Sequence, residues 1–392
     1  MVVSGGPSIV DEGLVLHLDA GDRACYRGEP TTNLMPHTNG ITGRVGWPGG
    51  AYTHSIETTG DYAGWQKMVV TSTGSISNFI MRLGDVTCSP GVVYTATIEY
   101  YAPYANLKFH ISGAHGNYTP VRIGDTNKYY LTFIFGAASA GSMGWWLLTT
   151  ASTPANTAIT NGVIYYRRVQ FEQKSYYTDF TIGTRGSTVA TGGGLLDLTN
   201  NGNDGGINRT SVPASAFYNS DNKGYFSFDG SNDYIRVLEN NSLKTASNGQ
   251  FTKSAWFMKQ GSLNENYGNV IWHKRTIIGV DSGAVLSNLN NEIYSYVGAN
   301  ILVSNVSAED DRWYNAHVVY DNTSCKIYVD GELKNSITST LENENGVTFD
   351  IGSGYGINNY WKGKISQVCS YNRALTAEEI QQNYHATKGR FL

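Results

Sequence analysis

Over most of its length, the sequence consists of short runs in which apolar and polar residues alternate. Gly, Asn, Asp and Ser residues separate these runs. One such run, Trp313–Tyr320, predicts a strand with Ala316 and Val318 on one face and His317 and Val319 on the other, because successive strand residues point to opposite faces. The 45 glycines and 27 tyrosines favour strands and turns over helices. The sequence therefore predicts an all-β protein and excludes a helical bundle or a coiled coil.

Two local signals predict individual elements. Asp330-Gly331 lies between strand-like residues 326–329 and 332–337, which predicts a type I′ hairpin with positive φ at both central residues. Near the C-terminus, residues 377–388 are predicted to form one short helix. Thr376 and Glu379 supply its capping box, and Gly389 is expected to end it.

Charge and cysteine content limit the partners and the chemistry. A net charge of -4 with 15% charged residues excludes nucleic acid and anionic membranes as main partners. The N-terminal residues carry neither the basic region nor the apolar core of a secretory signal, so we expect folding in a cytosol. Cys25, Cys88, Cys325 and Cys369 form no metal-binding spacing and are expected to be reduced, with Cys325 and Cys369 on adjacent strands.

Six motifs follow one another in order through the C-terminal half: residues 225–235, 251–257, 313–314, 326–331, 361–365 and 371–380. This series resembles the laminin G-like, concanavalin A-like lectin sandwich. Residues 13–22 resemble the first strand of the same sandwich, and residues 196–205 resemble the motif that normally follows it closely. Here a long segment separates the two, which indicates an insertion.

The inserted segment has strand-like runs of its own, at residues 66–72, 78–83, 92–100, 107–112, 128–135, 144–150 and 163–172. Such a number of strands suits a jelly roll. Its entry at residues 33–36 and its exit at residues 169–180 resemble the carbohydrate-binding-module jelly rolls of phage tail proteins. We therefore predict two β-sandwiches: residues 1–28 and 190–392 form a concanavalin A-like sandwich, and residues 29–189 form the inserted jelly roll.

The opening residues 5–10, followed by the Leu-rich strand, resemble virion structural proteins of tailed phages. This resemblance implies a protein of the virion surface, assembled with other virion proteins, forming a homo-oligomer and contacting host surface glycans. One alternative is a head, neck or tail decoration protein without glycan binding. The other is a carbohydrate-active enzyme or its binding module.

Catalytic carboxylates of glycoside hydrolases on this fold share one strand face, which requires acidic residues two or four positions apart. The nearest case is Glu342 and Glu344, which lie in a polar stretch typical of a solvated loop. Asp229 and Asp233 flank a turn, and turn chemistry accounts for them. We therefore predict a protein without enzymatic activity.

Sugar sites combine flat aromatic faces with amide, acid or guanidinium groups. Two regions offer this mixture, and packing in a core is the alternative for each aromatic residue, in particular for Trp361 at the sandwich edge. In the C-terminal half the candidates are Tyr355, Asn358, Asn359, Tyr360 and Trp361. In the insert they are Trp47, Trp65 and Tyr118, together with the neighbours Trp145 and Trp146.

The resemblance to laminin G-like domains also implies one structural calcium at the rim. Asp229, Asn232 and Asp233 could supply oxygen ligands. Many relatives carry an acidic residue near the start of the last strand, and this sequence has Ser366 at that position. The alternative to a calcium site is that Asp229 simply forms a turn. No other cofactor is expected.

Overall fold

The computed structural model describes residues 8–35, 44–45, 51–71, 79–102, 107–111, 116–136, 141–149, 161–181, 184–209, 216–221, 224–244, 249–261, 269–274, 284–289, 291–297, 300–339, 348–354 and 359–392. The chain forms two compact units. The sandwich unit comprises Met1–Pro30, Gly186–Ser211 and Phe217–Leu392. The insert unit comprises Thr31–Arg185 and Val212–Ala216. These junctions lie within a few residues of those in the sequence interpretation, which placed them at 28/29 and 189/190.

Short strands make up most of the described chain, as predicted for an all-β protein. The sandwich unit begins with β1 Leu14–Asp19 and β2 Tyr26–Gly28. The insert follows with β3 Thr31–Thr32, β4 Arg44–Val45, β5 Ala51–Ile56, β6 Gln66–Thr71, β7 Phe79–Cys88, β8 Val93–Tyr101, β9 Leu107–Ile111, β10 Gly116–Tyr118, β11 Val121–Arg122, β12 Lys128–Ile134, β13 Gly141–Thr149, β14 Asn161–Glu172 and β15 Thr184–Arg185.

The chain then returns to the sandwich unit. Its remaining strands are β16 Gly194–Leu195, β17 Gly205–Asn208, β18 Tyr218–Asn219, β19 Tyr225–Asp229, β20 Tyr234–Val237, β21 Phe251–Lys259, β22 Asn269–Lys274, β23 Ala284–Leu289, β24 Glu292–Val297, β25 Asn300–Ser307, β26 Trp313–Tyr320, β27 Ser324–Val329, β28 Glu332–Thr338, β29 Phe349–Ile351 and β30 Lys362–Tyr371. One α-helix, α1, spans Ala377–Thr387.

Two antiparallel sheets enclose the core of the sandwich unit. The eight-stranded sheet has the order β18-β19-β30-β21-β26-β27-β28, with β1 paired to β30. The nine-stranded sheet has the order β2-β16-β17-β20-β29-β22-β23-β24-β25. Leu16, Trp272, Tyr314 and Trp361 are among the buried residues of the core.

The N-terminal strand is an integral part of this unit. Leu16 lies opposite Ser370 and Leu18 opposite Val368, and both leucines are buried in the core. The loop at Asp197 fixes β1 from the other side: Asp197 Oδ1 accepts the His17 N–H at 3.0 Å, and the Leu198 N–H donates to the His17 carbonyl at 3.0 Å. Residues far apart in sequence therefore form one sheet.

A third layer covers the outer face of the eight-stranded sheet. Ile380 of α1 packs with Val319 and Tyr328, so β26 is buried on both faces. The predicted capping box is confirmed, because Thr376 and Glu379 exchange side-chain and backbone hydrogen bonds. The expected stop at Gly389 is wrong: α1 ends at Thr387 and the chain continues as a 3-10 helix, Lys388–Arg390, in which Gly389 has no positive φ.

The predicted hairpin is also confirmed. Asp330 has φ 52° and Gly331 has φ 81°, the left-handed conformations that a type I′ turn requires. The turn joins β27 to β28, and β26, β27 and β28 are consecutive antiparallel neighbours in the eight-stranded sheet.

The insert unit is a second two-sheet sandwich. A six-stranded sheet has the order β11-β12-β8-β14-β6-β5, and a five-stranded sheet has the order β10-β9-β13-β7-β4. Phe109, Phe133, Ile164 and Phe171 are among the residues of its core. Within the described residues, no helix has the length and apolar character needed to cross a membrane.

The four cysteines are buried and unpaired. Burial raises the pKa of the Cys25 thiol to about 12 and that of Cys88 to about 11. The expectation that Cys325 and Cys369 lie on adjacent strands is wrong, because β21 and β26 separate β27 from β30.

Candidate functional site

The outer face of the nine-stranded sheet carries a row of polar and aromatic side chains. Along β20, Ile235 and Val237 are buried in the core, whereas Tyr234 and Arg236 are half-buried on the opposite face. Asp350 of β29 lies directly opposite Arg236 in the sheet. Strand alternation therefore places hydrogen-bonding groups on this face.

A bidentate ion pair between Arg236 and Asp350 lies at the centre of this row of side chains. Arg236 donates from Nε to Asp350 Oδ1 and from a terminal nitrogen to Oδ2, each at 2.7 Å. The hydrogen bond to Asp350 raises the pKa of Arg236 above its ordinary value. The guanidinium also lies 5.0 Å from the centre of the Tyr234 ring. Arg236 is thus held in one orientation while 30% of its side chain stays exposed.

One of the predicted sugar-binding residues, Tyr360, lies next to this row of side chains. The Tyr360 and Tyr234 ring centres are 6.5 Å apart, and burial raises the pKa of Tyr360. Asn359 precedes it with φ 55°, a conformation that Asn tolerates better than most residues, and its carbonyl accepts the Val270 N–H at 3.1 Å. Tyr360 therefore lies near Tyr234 and Arg236, and Asn359 directly precedes it in the chain.

A cleft of about 720 Å³ opens next to Arg236 within the sandwich unit. It is lined by Ser187, Thr188, Val189, Ala190, Gly202, Asp204, Gly205, Gly206, Asn208, Arg236, Leu238, Glu239, Asn240 and Asn241. Hydroxyl, amide, carboxylate and guanidinium groups are all present, and Leu238 adds an apolar surface that is 71% exposed. This mixture matches the alternating hydroxyl and C–H surfaces of a sugar.

Sequence reasoning missed this cleft. Asp204 stands at the entry to β17 and Glu239 follows β20, so the two carboxylates share no strand and no spacing rule relates them. Asp204 also has a structural task, because its Oδ1 accepts the Asp197 N–H at 2.9 Å. The one available signal was the motif at residues 196–205, which the sequence interpretation treated as a fold marker.

Trp361 lies in the core, which is the alternative that the sequence analysis raised for this residue in particular. Its side chain is 0% exposed and meets Phe257 edge to face at 5.6 Å between ring centres. Because Tyr360 and Trp361 are consecutive, one faces the surface while the other fills the core. Trp361 is therefore a packing residue, and its proposed contact with a ligand is corrected. Tyr355 and Asn358 lie outside the described residues.

The two candidates of the insert whose side chains the structure describes, Trp65 and Tyr118, belong to different parts of it: Trp65 directly precedes β6 of the six-stranded sheet, and Tyr118 lies in β10 of the five-stranded sheet. Trp65 is 7% exposed and lies under Arg167, whose guanidinium is 4.2 Å from the centre of the indole ring system. Tyr118 of β10 is half-buried against the core of the insert. Trp47 lies outside the described residues, as do the side chains of the β13 pair Trp145 and Trp146 and the loop carboxylates Glu342 and Glu344.

The residues proposed for calcium form a tight turn. Asp229 Oδ1 accepts the backbone N–H groups of Ser231 and Asn232 at 2.8 and 3.3 Å. Asp233 is 1% exposed and accepts two hydrogen bonds from Arg209, at 2.7 and 3.1 Å. Burial raises the pKa of Asp233, and Arg209 opposes this shift. Among the described residues, no group of three or more His, Cys, Asp or Glu side chains could hold a metal ion; calcium at this turn stays a prediction.

Comparison with known families identifies part of the chain. A family model described as "Concanavalin A-like lectin/glucanases superfamily" matches residues 229–381. The match of this segment agrees with the sequence resemblance to concanavalin A-like lectin domains. No curated protein matches the sequence.

Solved structures similar to the chain include three proteins of different origin. The binding domain of Paraclostridial Mosquitocidal Protein 1 is 15% identical, with 48% of this chain and 49% of that chain covered and a TM-score of 0.41. Domain 4 of AbnA, a GH43 extracellular arabinanase from Geobacillus stearothermophilus in complex with arabinotriose, is 19% identical, with 48% and 91% covered and a TM-score of 0.37. A heptameric SAP-like pentraxin from Limulus polyphemus is 15% identical, with 40% and 78% covered and a TM-score of 0.31. The chain spans about half the length of the Paraclostridial chain.

Proposed function

We propose that the protein is a non-enzymatic structural protein of a tailed-phage virion, and that its sandwich unit binds host surface glycans. The observation that carries the glycan part is the cleft beside Arg236, which combines amide, acid and guanidinium groups with the exposed Leu238. The tyrosines at 234 and 360 extend this surface with two half-buried aromatic rings. The family description of residues 229–381 supports the same class of ligand.

The virion part of the proposal rests on the sequence resemblances at residues 5–10, 33–36 and 169–180. A single shallow site binds a sugar weakly, at about millimolar affinity, because little surface is buried. Many copies on one particle convert weak sites into useful avidity. A homo-oligomer displayed with other virion proteins on the particle surface therefore suits such a site.

Glycan binding is tested with the full chain on a multivalent glycan array. We expect binding that Asn241→Ala and Tyr360→Ala each reduce several-fold, because both residues lie at the surface of the site. Glu332→Gln is the control, since Glu332 is exposed on β28, the edge strand of the other sheet. An array without binding, while the protein is still found on the particle, would favour a decoration protein.

The cleft also favours a second candidate function. Asp204 and Glu239 line the same cleft, and glycoside hydrolysis uses a pair of carboxylates. A glycoside hydrolase would release reducing sugar from host polysaccharide, and Glu239→Gln would abolish that release. A pure binding protein would release none, and Glu239→Gln would change its affinity alone.

A further inference from the structure

The insert exposes a stack of tyrosines on the outer face of its six-stranded sheet. Tyr62 lies in a 3-10 helix, Gly60–Tyr62, and stacks on Tyr165 at 4.5 Å and on Tyr101 at 4.8 Å between ring centres. Tyr101 and Tyr165 are cross-strand neighbours in β8 and β14. Tyr101 is 40% exposed, so the stack offers an open aromatic face.

Two arginines follow Tyr165 on the same face because β14 contains a bulge. Three residue steps separate Arg167 from Gln170, whereas two steps separate their partners Glu99 and Thr97 in β8. The extra residue is Arg168, with φ 51°. Consecutive strand residues normally point to opposite faces, so without the bulge Arg168 would face the core.

The bulge brings both guanidinium groups to one carboxylate. Arg167 Nε donates to Glu99 Oε2 at 2.6 Å, and Arg168 donates to Glu99 Oε1 at 2.9 Å. The side chains of Arg167 and Arg168 are 38% and 50% exposed, whereas that of Glu99 is 14% exposed. Two positive charges thus share one negative charge, and each guanidinium keeps N–H groups that Glu99 does not use.

The nearby carboxylate of Glu57 is engaged by other groups. Glu57 is paired with Lys67 at 2.7 Å and also accepts the Tyr165 hydroxyl at 3.3 Å. Asp61 is exposed on the turn that carries Tyr62. A left-handed arginine costs backbone energy. Arg168 keeps this conformation while half of its side chain stays exposed beside Glu99.

We propose that this surface, defined by Tyr62, Tyr101, Tyr165, Arg167 and Arg168, binds a carboxylated sugar. The C–H face of the sugar ring would stack on Tyr101, and its carboxylate would accept hydrogen bonds from the arginine pair. Tyr101 and Glu99 are two residues apart on β8, about 7 Å at roughly 3.4 Å per residue, which one sugar unit bridges. The site belongs to the insert and does not depend on the cleft of the sandwich unit.

The test is a titration of the full chain with trigalacturonic acid and, separately, with its methyl ester. Saturation-transfer NMR measures the binding of each sugar. The ester keeps the rings and removes the charge, so we expect at least tenfold weaker binding of the ester. 3′-Sialyllactose serves as the second acid, and its relative affinity distinguishes a sialic acid from a uronic acid as the natural ligand. Equal binding of acid and ester, or no binding of either acid, would overturn the proposal.

Variants separate recognition from folding. Arg168→Gly suits the positive φ, so we expect at least tenfold weaker binding of the acid with an unchanged or higher melting temperature. Arg122→Ala removes the same charge from β11, at the far edge of the same sheet, and should bind like the parent. Tyr101→Ala should weaken the binding of acid and ester alike. Unchanged acid binding by Arg168→Gly, or a lower melting temperature of this variant, would show that the arginine is structural.

Arg168→Gly and Glu239→Gln together distinguish this site from the proposed function. The first variant should affect trigalacturonic acid, and the second should leave that binding unchanged because Glu239 lies in the sandwich unit. If Glu239→Gln abolished the binding of trigalacturonic acid, the acid would bind in the cleft and the site in the insert would be rejected.

Discussion

The two units of the chain use the same two-sheet architecture but cover their sheets differently. In the described part of the sandwich unit, buried apolar residues form three clusters, one between the sheets and two under α1 and the C-terminal residues. In the described part of the insert they form one cluster, between the sheets. The outer face of its six-stranded sheet exposes Tyr101 at 40% and Ile134 at 64%.

This difference shows how a sheet face becomes a core or a binding surface. Trp313 and Trp256 lie on an outer face, yet both are buried because Phe391 covers them, with ring centres 4.7 and 4.4 Å away. Tyr101 and Tyr234 lie on outer faces that stay accessible. The candidate sites of both units therefore occur on outer faces whose described aromatic residues stay partly accessible.

The largest effect is expected from deletion of residues 1–28. Deletion removes β1 with its buried residues Leu16 and Leu18 and leaves one edge of β30 unpaired. We expect the sandwich unit to lose its cooperative unfolding transition in calorimetry while the insert keeps its own. If residues 29–392 melted like the full chain, the assignment of β1 to the core would be wrong.

A point variant refines this prediction. Leu16→Ala should lower the free energy of unfolding of the sandwich unit by about 2–5 kcal/mol. Leu333→Ala is the matched control, because Leu333 is 53% exposed on β28 and should cost about 0.5 kcal/mol or less.

The next largest loss of stability is expected from one of two variants at neighbouring positions, Trp361 and Tyr360. Trp361→Ala empties a site in the core and should cost about 3–5 kcal/mol in chemical denaturation. Tyr360→Ala should cost about 1 kcal/mol or less but should weaken glycan binding. Equal losses of stability in the two variants would contradict the alternation of core and surface at this loop.

A third prediction uses the buried thiols as reporters of each unit. High thiol pKa values keep Cys25 and Cys88 unreactive in the native state, so labelling at pH 8 reports local opening. The insert has one core and no third layer in its described part. We therefore expect Cys88 to be labelled about tenfold faster than Cys25, which corresponds to about 1.4 kcal/mol in opening free energy. Equal rates by mass spectrometry would mean that the two units open together.

The smallest effect concerns one surface ion pair in each unit. The hydrogen bond from Lys67 lowers the pKa of Glu57 in the insert from 4.5 to about 2. A depressed pKa means that the stabilisation is complete above pH 4.5 and is lost as the pH falls towards about 2. Glu57→Gln should therefore lower the melting temperature of the insert slightly at pH 6 in low salt and leave it unchanged at pH 2.

Glu332 and Lys334 form the matching pair in the sandwich unit, also at 2.7 Å. Glu332→Gln should shift the transition of the sandwich unit alone. Addition of salt should reduce both effects, since exposed pairs are screened. A response of both transitions to either variant would show that the units are thermodynamically coupled.

Local patterns predicted the elements that local chemistry controls. The Asp330-Gly331 turn formed because its two residues accept positive φ, and α1 began where Thr376 caps it. Gly389 failed as a stop signal because the last turn continues into Phe391, whose ring packs on Trp256 and Trp313. A tertiary contact thus replaced the local ending.

The candidate site was predicted less completely than the fold. Tyr360 is half-buried at the surface, but its neighbours Tyr234 and Arg236 come from β20, and Asp350, which pairs with Arg236, comes from β29. The bulge at Arg168 shifts the alternation within β14: Ile164 and Tyr166 are core residues before it, and Phe171 is a core residue after it. The sequence interpretation treated residues 163–172 as one regular run.

The sequence by itself determined the all-β class, the turn at Asp330 and the start of α1. These depend on φ preferences, capping groups and period-two alternation, which act between near neighbours. The tertiary structure decided that Trp361 is core, that Asp204 and Glu239 share a cleft, and that two arginines meet Glu99. Burial and proximity depend on which strands pair and which faces another segment covers, and residues far apart in the chain set both.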